Sequence, residues 1–326
     1  MRFVQLRTPE GDRRLAATGQ DGGWRAVANA VSLYDLAMLA IEAGGSLADT
    51  AQLADPVDVA AALAEGRVLA PIDHRDPAHL LMTGTGLTHL GSAKSRDEMH
   101  AKAAAGAPLT DSMRMFMLGL EGGKPAEGQE GAQPEWFYKG DGGYLVPPGG
   151  DLTSPAFAGD GGDEAEIAAI YVVAPDGTPC RLGYCLANEF SDHVTERVNY
   201  LWLAHSKLRP ASLGPELLAT SLPPEVVGTS RIRRDGAVVW ERPMLSGEAN
   251  MAHSLANLEA HHFKYDLFRR PGDVHVHFLG AAVLSCADGF VAQPNDEFEI
   301  TAPPFEFPLR NRLVAAPAQD VRVRQL

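Results

Sequence analysis

Twelve residues, Gly162 to Val173, restrict this chain more than any other stretch. Their second half, Ile167-Ala168-Ala169-Ile170-Tyr171-Val172-Val173, is an apolar, partly β-branched run, which reads as a buried strand. Their first half sets Glu164 and Glu166 two residues apart at the entrance to that strand. On a pleated strand such residues share a face and stand roughly 6.6 Å apart, at about 3.3 Å rise per residue. Both side chains can then lean toward one point. Two like charges aimed at one point repel, so the pair needs an Arg, a Lys or a cation to neutralise it.

The run ends at Pro175-Asp176-Gly177, a turn signal that predicts a hairpin, and Arg181 to Glu189 reads as the returning strand. The hairpin brings Glu189 back to the end of the sheet that holds Glu164 and Glu166. Oxygen-only ligands with no Cys or His beside them suit Mg²⁺, Mn²⁺ or Ca²⁺ rather than zinc. Asp160 to Glu166 lacks the alternating ligands and terminal Glu of an EF-hand loop. On residue chemistry alone, an acidic hairpin end bathed in solvent explains the trio as well as a metal does.

The 326 residues exceed one ordinary core, and a small unit over 1–75 followed by a larger one over 76–326 is expected. With 33 Gly and 23 Pro, many turns and a strand-rich fold are favoured over a helical bundle. A formal charge of −14 argues against nucleic acid and against anionic membranes as partners. Met1 to Leu6 has no apolar core or cleavage site, so a leader is not expected, and no apolar run reaches the ~18 residues of a membrane span. Three cysteines, Cys180, Cys185 and Cys286, fit a reducing cytoplasm better than a disulfide framework.

Along the first unit, Phe3–Leu6 and Trp24–Val27 read as strands separated by a polar turn. Ser32 is placed to cap a helix over Leu33–Ile41, and Asp58–Ala64 is a second helix. In the second unit Leu80–Gly84 reads as a strand, 93–105 and the Met-rich 111–119 as helices, and 121–133 as a mobile loop. Trp136–Lys139 reads as a short strand and 193–203 as a helix, while Lys207 lies among Pro and Gly residues that predict a loop. Asp235-Gly236 joins two further strands. His275 and His277 share a strand face but have no third soft ligand nearby, and His261-His262 point apart on a helix, so neither pair is taken as a metal site. Gly84-Thr85-Gly86 lacks the lysine of a phosphate loop, and Cys185 reads as a small hydrophobe. Lys139 and Lys207 are surface lysines unless a metal gives them a role.

Taken in order, Glu164-x-Glu166, a hairpin, Asn188-Glu189, and Lys207 before Leu213-Gly214-Pro215 resemble the fumarylacetoacetate hydrolase superfamily. Phe137-Tyr138-Lys139 with Pro147-Pro148, and Asp273 to Gly280 with Pro294–Glu297, fit the same pattern. The resemblance spans most of 76–315. It implies an α+β, mainly β fold, a mixed β-roll with a small N-terminal α/β domain, a Mg²⁺ or Mn²⁺ site of three carboxylates, and a homodimer. Two departures stand out: Glu189 replaces a more usual Asp, and Ser92 replaces the His of hydrolytic members. The pattern is closer to the sugar-acid branch, with its 2-keto-3-deoxy-pentonate dehydratases and diketo-acid hydrolases.

The resemblance thus implies a metal-dependent enzyme for a small 2-keto acid. Dehydration of a 2-keto-3-deoxy sugar acid is expected first, C–C hydrolysis of a 2,4-diketo acid second, and a non-catalytic sugar-acid binding protein third. Glu164, Glu166 and Glu189 are the expected ligands. Lys207 is expected to stabilise or protonate the enolate, and Glu98 or His89 to act as general acid or base. Lys139 is expected to orient the substrate carboxylate, with Thr88, Ser92, Asn188 and Gly280 completing the substrate side.

Overall fold

The computed structural model describes residues 1–89 and 110–326. Ala165–Val173 is a strand with every residue buried, inside a 12-stranded mixed sheet. It lies between the return strand Pro179–Asn188 and Val274–Phe278, antiparallel to both. Burial on both faces accounts for its apolar run. Ala168, Ile170 and Val172 pack into one core with Phe3, Leu36 and Leu213, whereas Ile167, Ala169 and Tyr171 pack into another with Met244, Leu258 and Ile300.

Beyond Val274–Phe278 the sheet continues with Leu80–Gly84 and Phe137–Asp141. On its other flank the return strand meets Leu217–Leu218, which pairs with Arg2–Arg7. Arg13–Thr18, Trp24–Val27 and Leu53–Pro56 follow, so strands from the first 75 residues are hydrogen-bonded into the same sheet as the acidic strand. A second, five-stranded sheet runs Ala237–Ser246, Val226–Arg234, Glu297–Thr301, Leu309–Ala315, Asp151–Ser154. This is the mainly β, α+β arrangement expected. Ser32 caps Leu33–Ala43 as anticipated, its Oγ accepting from the Asp35 amide at 3.0 Å. The Asp235-Gly236 turn has both residues at positive φ, the conformation a tight hairpin of this hand requires.

The two central strands slip by one residue. Arg181 opposes Tyr171, but Gly183 opposes Ile170, leaving Leu182 as the extra residue of a bulge. Gly183 sits at φ 151°, where a Cβ would come within 2.2 Å of the Leu218 carbonyl oxygen. Past the bulge Ala187 opposes Glu166 and Asn188 opposes Ala165. Glu189 therefore lands on the face that carries Glu164 and Glu166.

Several local expectations are corrected. Arg13–Thr18 is a strand rather than part of a turn, its apolar half buried behind two arginines. The 193–203 segment is broken: helix His193–Val198 ends at Asn199, and a separate short helix covers Leu203–Lys207. Lys207 is therefore helical and buried, and Lys139 is fully buried, so neither is a surface lysine. The 121–133 segment is pinned, with the Ala132 amide donating to Gly122 O (2.8 Å) and Asn257 Nδ2 to Ala132 O (2.9 Å). The expected helix over 93–105 lies outside the described residues.

Candidate metal centre

Each of Glu164, Glu166 and Glu189 offers one carboxylate oxygen, and the three oxygens lie within 4.8 Å of one another. The residues are 5%, 1% and 0% exposed, which rules out a solvated hairpin end. The backbone fixes this convergence, because the Glu189 amide donates to Glu164 O at 3.0 Å across the strand ends.

Two buried lysines reach the trio. Lys207 Nζ lies 2.5 Å from Glu164 Oε1 and 2.8 Å from Glu189 Oε2, with Ser191 Oγ at 3.3 Å. Lys139 Nζ lies 2.8 Å from Glu189 Oε1 and donates to Phe190 O. His193 Nε2 approaches the same Glu164 Oε1 at 3.1 Å. Burial disfavours every charge here, and the neighbours decide which survive. Burial works against Glu164, but Lys207 and His193 overcome it and hold the carboxyl well below its ordinary value. Burial likewise opposes the Lys207 ammonium, yet Glu164 and Glu189 keep it well above the ordinary lysine value. Glu189 is pushed up to about 7 by burial and by Glu164, against the pull of Lys139.

Glu166 differs from its partners. It accepts the Gly280 amide at Oε2 (2.8 Å) and has no ammonium partner among the described residues. Burial and the charges of Glu189 and Glu164 drive its carboxyl well above the ordinary range. A buried acid left in this state, in a trio that offers only carboxylate oxygens as ligands, fits a hard divalent cation.

The other expected site residues fall around this core unevenly. Asn188 Oδ1 accepts the Glu164 amide at 3.2 Å, while its Nδ2 has no partner among the described residues. Gly280 leaves room for Thr88, whose Oγ1 would lie 2.0 Å from a Cβ at that position and which donates to Leu279 O. His89 is turned to Ser246 Oγ (3.0 Å) and Thr88 (3.1 Å) rather than to the acids, and burial lowers its pKa to about 4. Lys139 is bonded to Glu189 and Phe190 O. Glu98 and Ser92 lie outside the described residues.

Two residues escaped the sequence reading. Glu135, 8% exposed, accepts the Tyr200 hydroxyl, and burial raises its pKa. Period-2 alternation through Glu135, Phe137 and Lys139 was the available signal, since the Phe137 ring lies 4.9 Å from Lys207 Nζ. His193 is the second, and it fits only because residue 162 is glycine: a Cβ there would lie 2.3 Å from His193 Nδ1. Gly162→Ala should displace the imidazole from Glu164 and weaken Mg²⁺ binding by roughly 10–100-fold, as loss of a ligand-orienting partner does. Calorimetric titration checks this, and unchanged affinity would remove His193 from the site.

No protein-family model matches the chain, and no curated protein matches it. Solved structures do. The apo form of 2-keto-3-deoxy-D-arabinonate dehydratase aligns over 97% of this chain and 100% of its own, at TM-score 0.72 and 17% identity. A 2-keto-3-deoxy-D-arabinonate dehydratase complexed with magnesium and 2,5-dioxopentanoate aligns over 97% and 99%, at 0.71 and 18%. The 5-carboxymethyl-2-hydroxymuconate delta-isomerase from Mycobacterium smegmatis aligns over 97% and 100%, at 0.58 and 16%. Along nearly its whole length, then, the chain has the fold these dehydratase and isomerase structures share, as the resemblance to the fumarylacetoacetate hydrolase superfamily led one to expect.

Proposed function

We propose that the chain is a divalent-metal-dependent enzyme that removes water from a 4-hydroxy-2-oxo acid of the 2-keto-3-deoxy class, with sugar acids the first substrates to offer. One observation carries this reading: a buried lysine bridges two members of a buried carboxylate trio whose third member has no cationic partner among the described residues. Packing alone gives no reason to bury so many charges together, because each loses its hydration. The fold-level likeness to a dehydratase complexed with magnesium and 2,5-dioxopentanoate, a 2-oxo acid, points the same way.

Mg²⁺ or Mn²⁺ held by Glu164, Glu166 and Glu189 would act as a Lewis acid on a bound carbonyl and acidify the hydrogens beside it. Lys207, held protonated in the metal-free site by Glu164 and Glu189, would take the C3 proton only once a cation bound to those two carboxylates draws on their charge and weakens its hold on its own proton. Glu135, whose pKa burial raises, would give its proton to the departing 4-hydroxyl. The C3–H and C4–O bonds break, a C3–C4 double bond forms, and water leaves. Lys139 fixes Glu189 from behind. The same reading includes a small unit over 1–75, a catalytic unit over 76–326 and a cytoplasmic homodimer.

Offering a 2-keto-3-deoxy-pentonate with Mg²⁺ and weighing the products tests it. Loss of one water is expected; cleavage to pyruvate would favour C–C hydrolysis, and binding without turnover a sensor. Glu135→Gln should cut kcat by roughly 10²–10⁴-fold with little change in melting temperature. A variant that keeps wild-type kcat would exclude Glu135 as the proton donor.

A further inference from the structure

Glu135 borders a second space as well as the acidic centre. On one side Gly86 must lack a side chain, since a Cβ there would lie 1.7 Å from Glu135 Oε2; the same loop carries Thr88, which packs on Gly280, the donor to Glu166. On the other side Tyr200 donates its hydroxyl to Glu135, and beyond it opens a cavity of about 630 Å³. Met115, Trp136, Leu203, Leu258, Leu267 and Phe268 give its wall an apolar side. A cavity of ~150 Å³ already accepts benzene, so a ring with several further carbons fits here.

The polar side chains facing this space, apart from the half-exposed Tyr265 at its rim, are already bonded to the protein. Tyr200 donates its hydroxyl to Glu135 Oε1. His262 receives the Trp136 indole N–H at Nδ1 (3.2 Å) and meets His275 Nδ1 through Nε2 (3.0 Å). It also stacks on Phe268, with ring centroids 4.8 Å apart and 14° between planes. His261 is held by Gly131 O (3.1 Å) and Lys264 (3.0 Å), and Gln133 Oε1 by Lys264 (3.2 Å). A hydroxylated chain entering here would give up hydrogen bonds to water and find few replacements, which is costly. An apolar group loses nothing comparable and gains burial.

We infer that this cavity receives the apolar end of the substrate, so that among 4-hydroxy-2-oxo acids the site prefers one with an aryl or branched alkyl group beyond C4 over the sugar acids, which share its reacting end. The inference rests on the reading of the acidic trio as a 2-oxo acid site. It also gives a purpose to the His262–Trp136–Phe268 stack, which forms a flat, fully bonded wall beside the proton donor.

Calorimetry on the Mg²⁺-loaded full chain tests it with 2-oxobutanoate, 2-oxo-4-phenylbutanoate and a 2-keto-3-deoxy-pentonate. The phenyl compound should bind at least tenfold tighter than 2-oxobutanoate and than the hydroxylated acid. Met115→Trp, which fills the cavity, should bring the ratio of phenyl to plain acid close to one. If 2-oxobutanoate binds and the phenyl group adds nothing, the cavity belongs to some other occupant and this inference is overturned while the acidic site stands. If no 2-oxo acid binds, both readings fall together.

Discussion

Replacing Lys207 by methionine is expected to lower kcat by roughly 10²–10⁴-fold, the range for losing a positioned proton-transfer group. Its effect on stability should depend on metal. Lys207 Nζ lies 2.5 Å from Glu164 and 2.8 Å from Glu189, all three side chains buried. Removing one partner from such an ion pair leaves charge without compensation and costs about 3–5 kcal/mol. That cost should appear in EDTA-treated protein as a lower denaturation midpoint. Saturating Mg²⁺ should recover most of the stability but not the turnover. A variant retaining a tenth or more of wild-type kcat would remove Lys207 from the chemistry. A variant unaffected by Mg²⁺ in its unfolding would remove the metal from the trio.

Glu166→Gln should have opposite effects on the metal-free protein and on metal binding. The wild-type carboxyl is buried beside two others and has no ammonium partner among the described residues, so the isosteric amide relieves repulsion. At pH 8 the metal-free variant should melt roughly 1.5 °C or more above wild type, equivalent to about 1 kcal/mol in a chain of this size. Equilibrium dialysis should find Mg²⁺ occupancy abolished. The pH dependence in the wild type follows from the same groups. Glu189 is shifted from an ordinary 4.5 to about 7 and Glu166 also upward, so the folded chain holds protons there that the unfolded chain has released. The Glu189 contribution to stability is fully present below about pH 4.5 and is lost as pH rises through about 7, and the Glu166 contribution has the same sign. Metal binding must expel such protons, so Mg²⁺ affinity should climb by roughly tenfold per pH unit between about pH 5 and 7 for each proton displaced. A flat affinity profile over that range would mean that the trio is already ionised without metal.

The acid pair was legible because strand alternation needs only two residues and a following apolar run, and Glu189 because a Pro-Asp-Gly turn implies a partner strand. What alternation does not reveal is depth. Lys139 and Lys207 read as surface lysines because lysine is ordinarily solvated, and only the assembled sheet shows acids waiting for them in the interior. The Leu203–Lys207 helix, five residues long and flanked by Pro210 and Gly214, is too short to carry a period. Glu135 was hidden by its neighbours, since a Gly- and Glu-rich segment reads as loop up to Gln133 although the face shared with Phe137 and Lys139 begins just after it. His262 was set aside because adjacent helical residues diverge; both it and His261 are nonetheless buried, one against the sheet and one against the 121–133 segment.

The extra residue at Leu182 makes the identity of the third acid a matter of odd and even. With the pairing before it kept, deleting one residue between Gly183 and Ala187 would turn each later side chain of that strand through half a revolution, presenting the Phe190 ring where Glu189 now stands. Such a lesion would sit up to roughly 20 Å from the acids, at about 3.3 Å per residue. It would silence the centre while every one of its own codons remained intact.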